Sequence, residues 1–131
     1  MPMDDAAHAT ALAQELLGQF FDQLCVGAGD LQLRFSHATV SLWSTIGVST
    51  GDDAPVQPYS LSGVGLLLPL LNGEVTAADI DPSGTLTITM GGVTIWCGSD
   101  PDYESWSYDG RDGEKVVCRP GGDLAIWSAA R

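Results

Sequence analysis

The densest group of side chains that could do chemistry is a run of carboxylates in residues 100–114. Its members are Asp100, Asp102, Glu104, Asp109, Asp112 and Glu114. Carboxylate oxygens are the ligands that hard cations prefer, but an EF-hand loop needs alternating acids, a central Gly and a distant Glu. Residues 109–114 depart from that order, and Asp-Gly pairs are common turn formers. The sequence therefore predicts solvated turns here and no metal site.

Acid–base catalysis has one other candidate pair, Asp79 and Asp81, which would point to the same side of a strand end. Such chemistry needs two carboxylates in different environments, one with a raised pKa, and spacing alone does not supply this. A Ser or Cys nucleophile needs a His base, and the chain has only His8 and His37. His37 falls in a tight turn.

Phosphate loops, dinucleotide-binding motifs and Gly-x-Ser-x-Gly elbows do not occur in the sequence. We assign no catalytic, cofactor-binding or metal-binding residue and expect no cofactor. The enzymatic alternative is a small metal-dependent or carboxylate-based hydrolase. It would use Asp100, Asp102 and Glu104, or Asp79 and Asp81.

Aromatic residues beside the acids indicate recognition. Trp106 and Tyr108 alternate with Glu104 on a predicted strand, so one face would combine aromatic anchors with carboxylates. Core packing is the competing interpretation for all four tryptophans. The predicted partner-binding surface comprises Asp100, Asp102, Glu104, Trp106, Tyr108, Asp109 and Asp112.

The charge balance restricts the class of partner. Seventeen acidic residues face five basic ones, for a formal net charge of −12. Such a field repels phosphate backbones and anionic membranes, and it favours association with a basic protein while keeping the chain soluble. An acidic N-terminus and the lack of an apolar run of membrane-spanning length predict a cytoplasmic location.

Three widely separated cysteines, Cys25, Cys97 and Cys118, lie in apolar stretches. An odd number at irregular spacing predicts buried, reduced thiols rather than a disulfide framework or a zinc site.

An internal repeat organises the elements that must position these residues. A shift of 55 positions matches Gly18 to Gly73, Gly29 to Gly84 and Thr39 to Thr94. The sequence therefore predicts one domain, residues 1–131, with repeated units at about 16–43 and 71–98 and a β tail at 100–127.

Each unit reads as a strand followed by a hairpin with apolar residues at every second position. An Ala-rich helix capped by Asp4 or Asp5 precedes the first unit and ends at Leu17. Residues 47–60 have the Gly, Pro and Asp content of an exposed loop, and residues 66–71 predict a short helix.

Nine strands and one N-terminal helix indicate a mostly β (α+β) fold. The duplicated hairpins would form a curled antiparallel sheet, a sandwich or an open barrel.

The tail resembles that of a family of small uncharacterised actinobacterial proteins, a domain-of-unknown-function group. The residues that carry the resemblance are Pro101–Trp106, with its Tyr-Glu-x-Trp pattern, the Val116–Cys118 strand, Pro120-Gly121-Gly122 and Leu124–Trp127, together with the hairpin of Gly73 and Gly84. The resemblance covers about residues 16–127 and implies the fold, but it points to no particular catalytic residues.

Three functional hypotheses follow. The leading one is a non-enzymatic acidic binding protein, immunity-like, that neutralises a basic protein partner. The second is the hydrolase. The third is a structural homodimer formed through an exposed strand edge.

Overall fold

Apolar alternation along the strands produces two antiparallel sheets that are not closed into a barrel within the described chain. The computed structural model describes residues 4–49 and 55–128, and these contain ten strands and two α-helices. The mostly β fold class is confirmed. The strands are β1 Phe21–Val26, β2 Leu31–Phe35, β3 Thr39–Leu42, β4 Ile46–Val48, β5 Val75–Ile80, β6 Leu86–Met90, β7 Val93–Cys97, β8 Trp106–Asp109, β9 Lys115–Cys118 and β10 Leu124–Trp127; the helices are α1 Asp5–Ala13 and α2 Leu61–Leu67.

The larger sheet has the order β1-β2-β3-β8-β9-β10, and the smaller one has the order β4-β7-β6-β5. The tail strands therefore complete the sheet that the first hairpin begins, through pairing of Leu42 with Trp106 and Val40 with Tyr108. A bridge between Phe20 and Glu74 links the starts of β1 and β5.

One apolar core lies between these elements. Every second residue of β2 and of β6 is buried, as period-two alternation predicts. The buried cluster contains residues of both sheets together with Ala9, Ala13 and Leu16 from the N-terminal segment. Small alanines let α1 approach the sheets closely.

Several element boundaries differ from the predictions. The first helix ends at Ala13, and a 3₁₀ turn over Gln14–Leu16 follows it. The second helix begins at Leu61 because the Ser60 hydroxyl caps the Gly63 N–H at 2.9 Å. The predicted strand at residues 104–108 is shifted to Trp106–Asp109.

Part of the predicted 47–60 loop belongs to the smaller sheet. β4 pairs with β7, and Ile46 exchanges two backbone hydrogen bonds with Val56, at 2.8 and 2.9 Å. This short strand was missed because three residues give too little alternation to recognise. Residues 50–54 of the predicted loop lie outside the described part of the chain.

The two units meet through reciprocal hydrogen bonds. The Gly18 N–H donates to Val75 O at 2.9 Å, and the Asn72 N–H donates to Phe21 O at 2.7 Å. The two donors, Gly18 and Asn72, are 54 residues apart, and so are the two acceptors, Phe21 and Val75. Gly18 therefore corresponds to Asn72, and both residues have a positive φ. In the hairpins the offset between the two units is 55 residues, because the β5–β6 turn is one residue longer than the β1–β2 turn. Descent of both units from one duplicated ancestor remains a prediction.

Within residues 4–49 and 55–128, none of the helices combines the length and the apolar character that crossing a bilayer requires.

Candidate functional site

The first helix runs along the outer edge of β5. Its N-terminus is capped by the Asp4 carboxylate, which accepts from the Ala7 N–H at 2.7 Å. The Thr10 hydroxyl exchanges hydrogen bonds with the backbone of Ile80, and the Gln14 amide donates to Ala78 O at 2.7 Å. These bonds place the start of α1 beside the end of β5.

Two adjoining depressions, of about 230 and 490 Å³, lie where these elements meet. Both are lined by Asp4, Ala6 and Pro82, so they form one surface feature, which we call the acidic groove. Its five carboxylates come from three parts of the chain, and no basic residue is among the described residues that line it. They are Asp4, Asp5, Asp79, Asp81 and Asp123.

The Asp81 carboxylate is fixed by the turn that follows β5. It accepts from the Ser83 hydroxyl at 2.6 Å and from the N–H groups of Ser83 and Thr85 at 2.9 and 3.0 Å. Partial burial opposes ionisation, but these hydrogen bonds outweigh it and lower the pKa of Asp81. Its charge is therefore held at neutral pH, which is the opposite of what a general acid requires.

Two glycines let the groove wall form. Gly84 in the β5–β6 turn has φ +89°, and an added Cβ would lie 2.8 Å from Gly122 O. Gly122 has φ +99°, and a Cβ there would strike Ser83 O. The backbone of the 120–122 turn can therefore pack directly against residues 83–84, which brings Asp123 to the groove.

The loop before β8 adjoins the groove. The Gly121 N–H donates to Asp100 O at 2.8 Å. The Asp100 carboxylate accepts from the N–H groups of Asp102 and Tyr103, at 2.8 and 3.1 Å, and so stabilises its own loop. Asp102 and Glu104 are exposed, and the Tyr103 side chain is 73% exposed.

Trp106 and Tyr108 do not form a surface, and the prediction of exposed aromatic anchors at these two positions is wrong. Their exposed fractions are 0% and 1%. The Trp106 indole donates to Gly84 O at 2.8 Å, and the Tyr108 hydroxyl donates to the Glu15 carboxylate. Both side chains point inward because β8 is an interior strand of the larger sheet and this face covers the core.

The remaining predicted acids lie at the other end of β8. Asp109 forms an ion pair with Lys115 at 2.8 Å, across the β8–β9 hairpin. Asp112 is exposed in the turn, where its N–H donates to the buried Glu114 carboxylate at 2.7 Å. The four-residue length of β8, roughly 13 Å, separates this turn from Glu104. The predicted surface is thus divided into two acidic loops.

The pKa of the Tyr108 hydroxyl is strongly raised in the folded protein. Burial raises its pKa well above 10.0, and the hydrogen bond to Glu15 and the charges of Glu15, Glu114 and Asp109 act in the same direction. Glu15 also accepts the Arg111 N–H at 3.0 Å. This cluster ties the N-terminal segment to the β8–β9 turn.

The geometry of the described residues favours neither a metal site nor a reactive cysteine. Among the described residues, no three His, Cys, Asp or Glu side chains are grouped so that they could hold a metal ion. Cys97 and Cys118 are buried free thiols, as predicted, whereas Cys25 is half-buried. Burial raises the pKa of Cys97 to about 12 and also raises that of Cys118, so neither thiol is activated.

Sequence reasoning missed four residues of this region as candidates: Asp4, Asp5, Tyr103 and Asp123. The first two read as helix-capping acids and Asp123 as a turn residue. A signal for Tyr103 was available, because Pro101 delays the strand and leaves this tyrosine in an exposed loop.

Comparison with known proteins yields one match. The model of a family of unknown function, DUF6188, matches residues 43–128, about two-thirds of the chain. The matched region begins after β3 and includes the second unit and the tail. No curated protein and no solved structure matches the chain significantly.

Proposed function

Starting from a chain that belongs to the DUF6188 family, whose function is unknown, we propose that this protein is a non-enzymatic binding protein that presents the acidic groove to a basic protein partner. The single observation that carries the proposal is the groove itself. It gathers five carboxylates from α1, the end of β5 and the 120–123 turn, with no basic side chain among its described lining residues.

The chemistry of the groove suits Lys and Arg side chains. Asp4, Asp5, Asp79 and Asp123 are exposed, and Asp81 is kept ionised by its turn. The 100–104 loop extends this surface with Asp102 and Glu104 and adds Tyr103 as an aromatic that a guanidinium can stack on. The net charge of −12 would speed encounter with a basic partner.

An immunity-like role, in which the groove covers the active surface of a basic toxin, is the specific form of this proposal. We also propose that the family is actinobacterial and that two segments mark its members. These segments are Tyr103–Trp106 and Pro120–Gly122. In the immunity-like role, the turn Pro120–Gly122 would position Asp123 in the groove.

Charge reversal tests the groove. The partner would first be captured from the native host at low salt, identified, and then titrated as a purified protein against wild type, Asp79→Lys and Asp123→Lys. We expect each substitution to raise the Kd by about tenfold or more at low salt and by less at high salt. Asp112→Lys, an exposed acid of the β8–β9 turn, is the matched control and should change the Kd little.

The proposal fails if the groove variants bind the purified partner as tightly as wild type does. It also fails if Asp112→Lys weakens binding as much as they do, because the recognition surface would then lie at the other end of β8.

A further inference from the structure

The outer strands of the two units, β1 and β5, differ in whether side chains hydrogen-bond their edge backbone groups. On β5, the Thr10 hydroxyl bonds both the N–H and the C=O of Ile80, and Gln14 bonds Ala78 O. The positions 54 residues later, which precede the second unit in the sequence, are Val64 and Leu68. Their aliphatic side chains cannot form such bonds.

Beyond Phe21, whose N–H and C=O are bonded by residues 72–73, the outer edge of β1 has no hydrogen-bond partner among the described residues. Its residues Leu24 and Val26 correspond to Ala78 and Ile80 by the same 54-residue shift. Among the described residues, no hydrogen bond joins α2, or the 3₁₀ turn over Leu68–Leu70, to the backbone of β1. A protein normally covers or blunts such an edge, because unpaired backbone groups are a template for another strand.

A neutral patch borders this edge. It consists of Val26, Tyr59, Leu61 and Val64, and Leu61 is 94% exposed. A depression of about 230 Å³ lies between Val26 and the start of α2. Residues 55–73 contain no charged residue, in a chain with 17 acidic residues and 5 basic ones.

We propose that a second copy of this chain covers the neutral patch, with β1 pairing antiparallel to β1 of the other copy across a two-fold axis. Such an edge is self-complementary, so each copy supplies the N–H and C=O groups that Leu24 and Val26 of the other need. The proposal does not rest on the acidic groove, which lies beside β5.

The distribution of charge favours a second copy of this chain as the molecule that covers the neutral patch. Two molecules of net charge −12 repel each other over most of their surfaces, and they approach at least cost where both are uncharged. A basic partner has no carboxylate to pair with on the neutral patch and is drawn instead to the groove. The dimer should therefore strengthen as salt screens the repulsion, whereas groove binding should weaken.

Sedimentation and light scattering over a concentration series test the dimer, in about 50 mM and about 500 mM NaCl. We expect a dimer whose Kd falls at the higher salt. Leu61→Glu should raise that Kd by about tenfold or more, since a carboxylate is then buried against an apolar surface. Folding should be unaffected because the side chain is almost fully exposed, and circular dichroism checks this.

Trp127→Glu is the matched control. It introduces the same charge at a 53% exposed apolar residue on β10, the opposite edge of the same sheet. It should leave the Kd unchanged. A monomer at all concentrations up to about 1 mM, a dimer weakened by salt, or dissociation by Trp127→Glu but not Leu61→Glu would overturn the proposal, whatever the groove variants do.

Discussion

At the residue scale, Trp106 joins the two sheets. Its ring is fully buried in β8 of the larger sheet, and its indole N–H bonds Gly84 O in the β5–β6 turn of the smaller one. The bond gives a buried polar group its partner and fixes the turn that forms the groove wall.

Trp106→Ala should therefore lower the free energy of unfolding by about 3–5 kcal/mol, through the cavity and the lost hydrogen bond. Urea unfolding followed by circular dichroism measures this. Trp106→Phe, which keeps most of the volume, should cost clearly less. A loss below about 1 kcal/mol for Trp106→Ala would contradict the core assignment.

Tyr108 should make stability depend on alkaline pH. Its pKa is raised in the folded protein, so its contribution is complete below the unfolded value near 10 and is lost as pH rises through the higher folded value. Tyr108→Phe should cost about 1–2 kcal/mol near neutral pH, because Glu15 loses a donor.

That difference in unfolding free energy between wild type and Tyr108→Phe should shrink above about pH 10. Other titrating groups affect both proteins alike, so chemical denaturation of the pair at each pH isolates Tyr108. A difference that stays constant from neutral to strongly alkaline pH would exclude this role for the hydroxyl.

The sequence could predict that Trp106 and Tyr108 share one face of a strand, but not which face. Period-two alternation is the same for a strand that turns its aromatics inward and one that turns them outward. The choice depends on which strands flank β8, and one of the two, β3, is distant in the sequence. Tyr103, one residue before Glu104, is the exposed aromatic instead.

At the element scale, α1 bonds the backbone edge of β5, whereas no segment of the described chain bonds the edge groups of Leu24 and Val26 in β1. The Thr10 hydroxyl lies 3.0 Å from Ile80 O and 2.9 Å from Ile80 N, so one side chain satisfies both edge groups. The strand edge is thereby closed without another strand.

Thr10→Val removes both bonds and keeps the side-chain shape. It should cost about 1–2 kcal/mol of unfolding free energy and speed exchange of the Ile80 amide hydrogen. Val64→Thr, at the corresponding position in α2, is the matched substitution and should change stability little. Equal exchange at Ile80 in wild type and Thr10→Val would show that the hydroxyl does not seal the edge.

Element types were more predictable than their limits. The hairpins at β2–β3 and β6–β7 follow from alternation and Gly-containing turns. The repeat predicts that α1 ends at Leu17, because Gly18 aligns with Gly73 and a strand follows, yet the chain tightens into a 3₁₀ turn after Ala13. α2 was missed at its start because its capping residue, Ser60, stands in a stretch that reads as loop.

At the scale of the whole molecule, charge and apolarity are separated. The acidic groove lies beside β5, and the neutral patch lies beside β1. The two proposed interactions use separate faces, so binding of a basic partner and dimerisation would be compatible with each other. The charge was evident from composition, but its concentration in one groove was not, because Asp4, Asp79 and Asp123 are far apart in the sequence.

The partnership of β3 with β8 also sets the order of events during synthesis. Leu42 pairs with Trp106, and the whole smaller sheet is encoded between them. At typical translation rates β3 waits on the order of several seconds for its neighbour to leave the ribosome. During that interval the nascent hairpin carries one unpaired strand edge on β3, and we expect a chaperone that shields this edge to raise the yield of native protein.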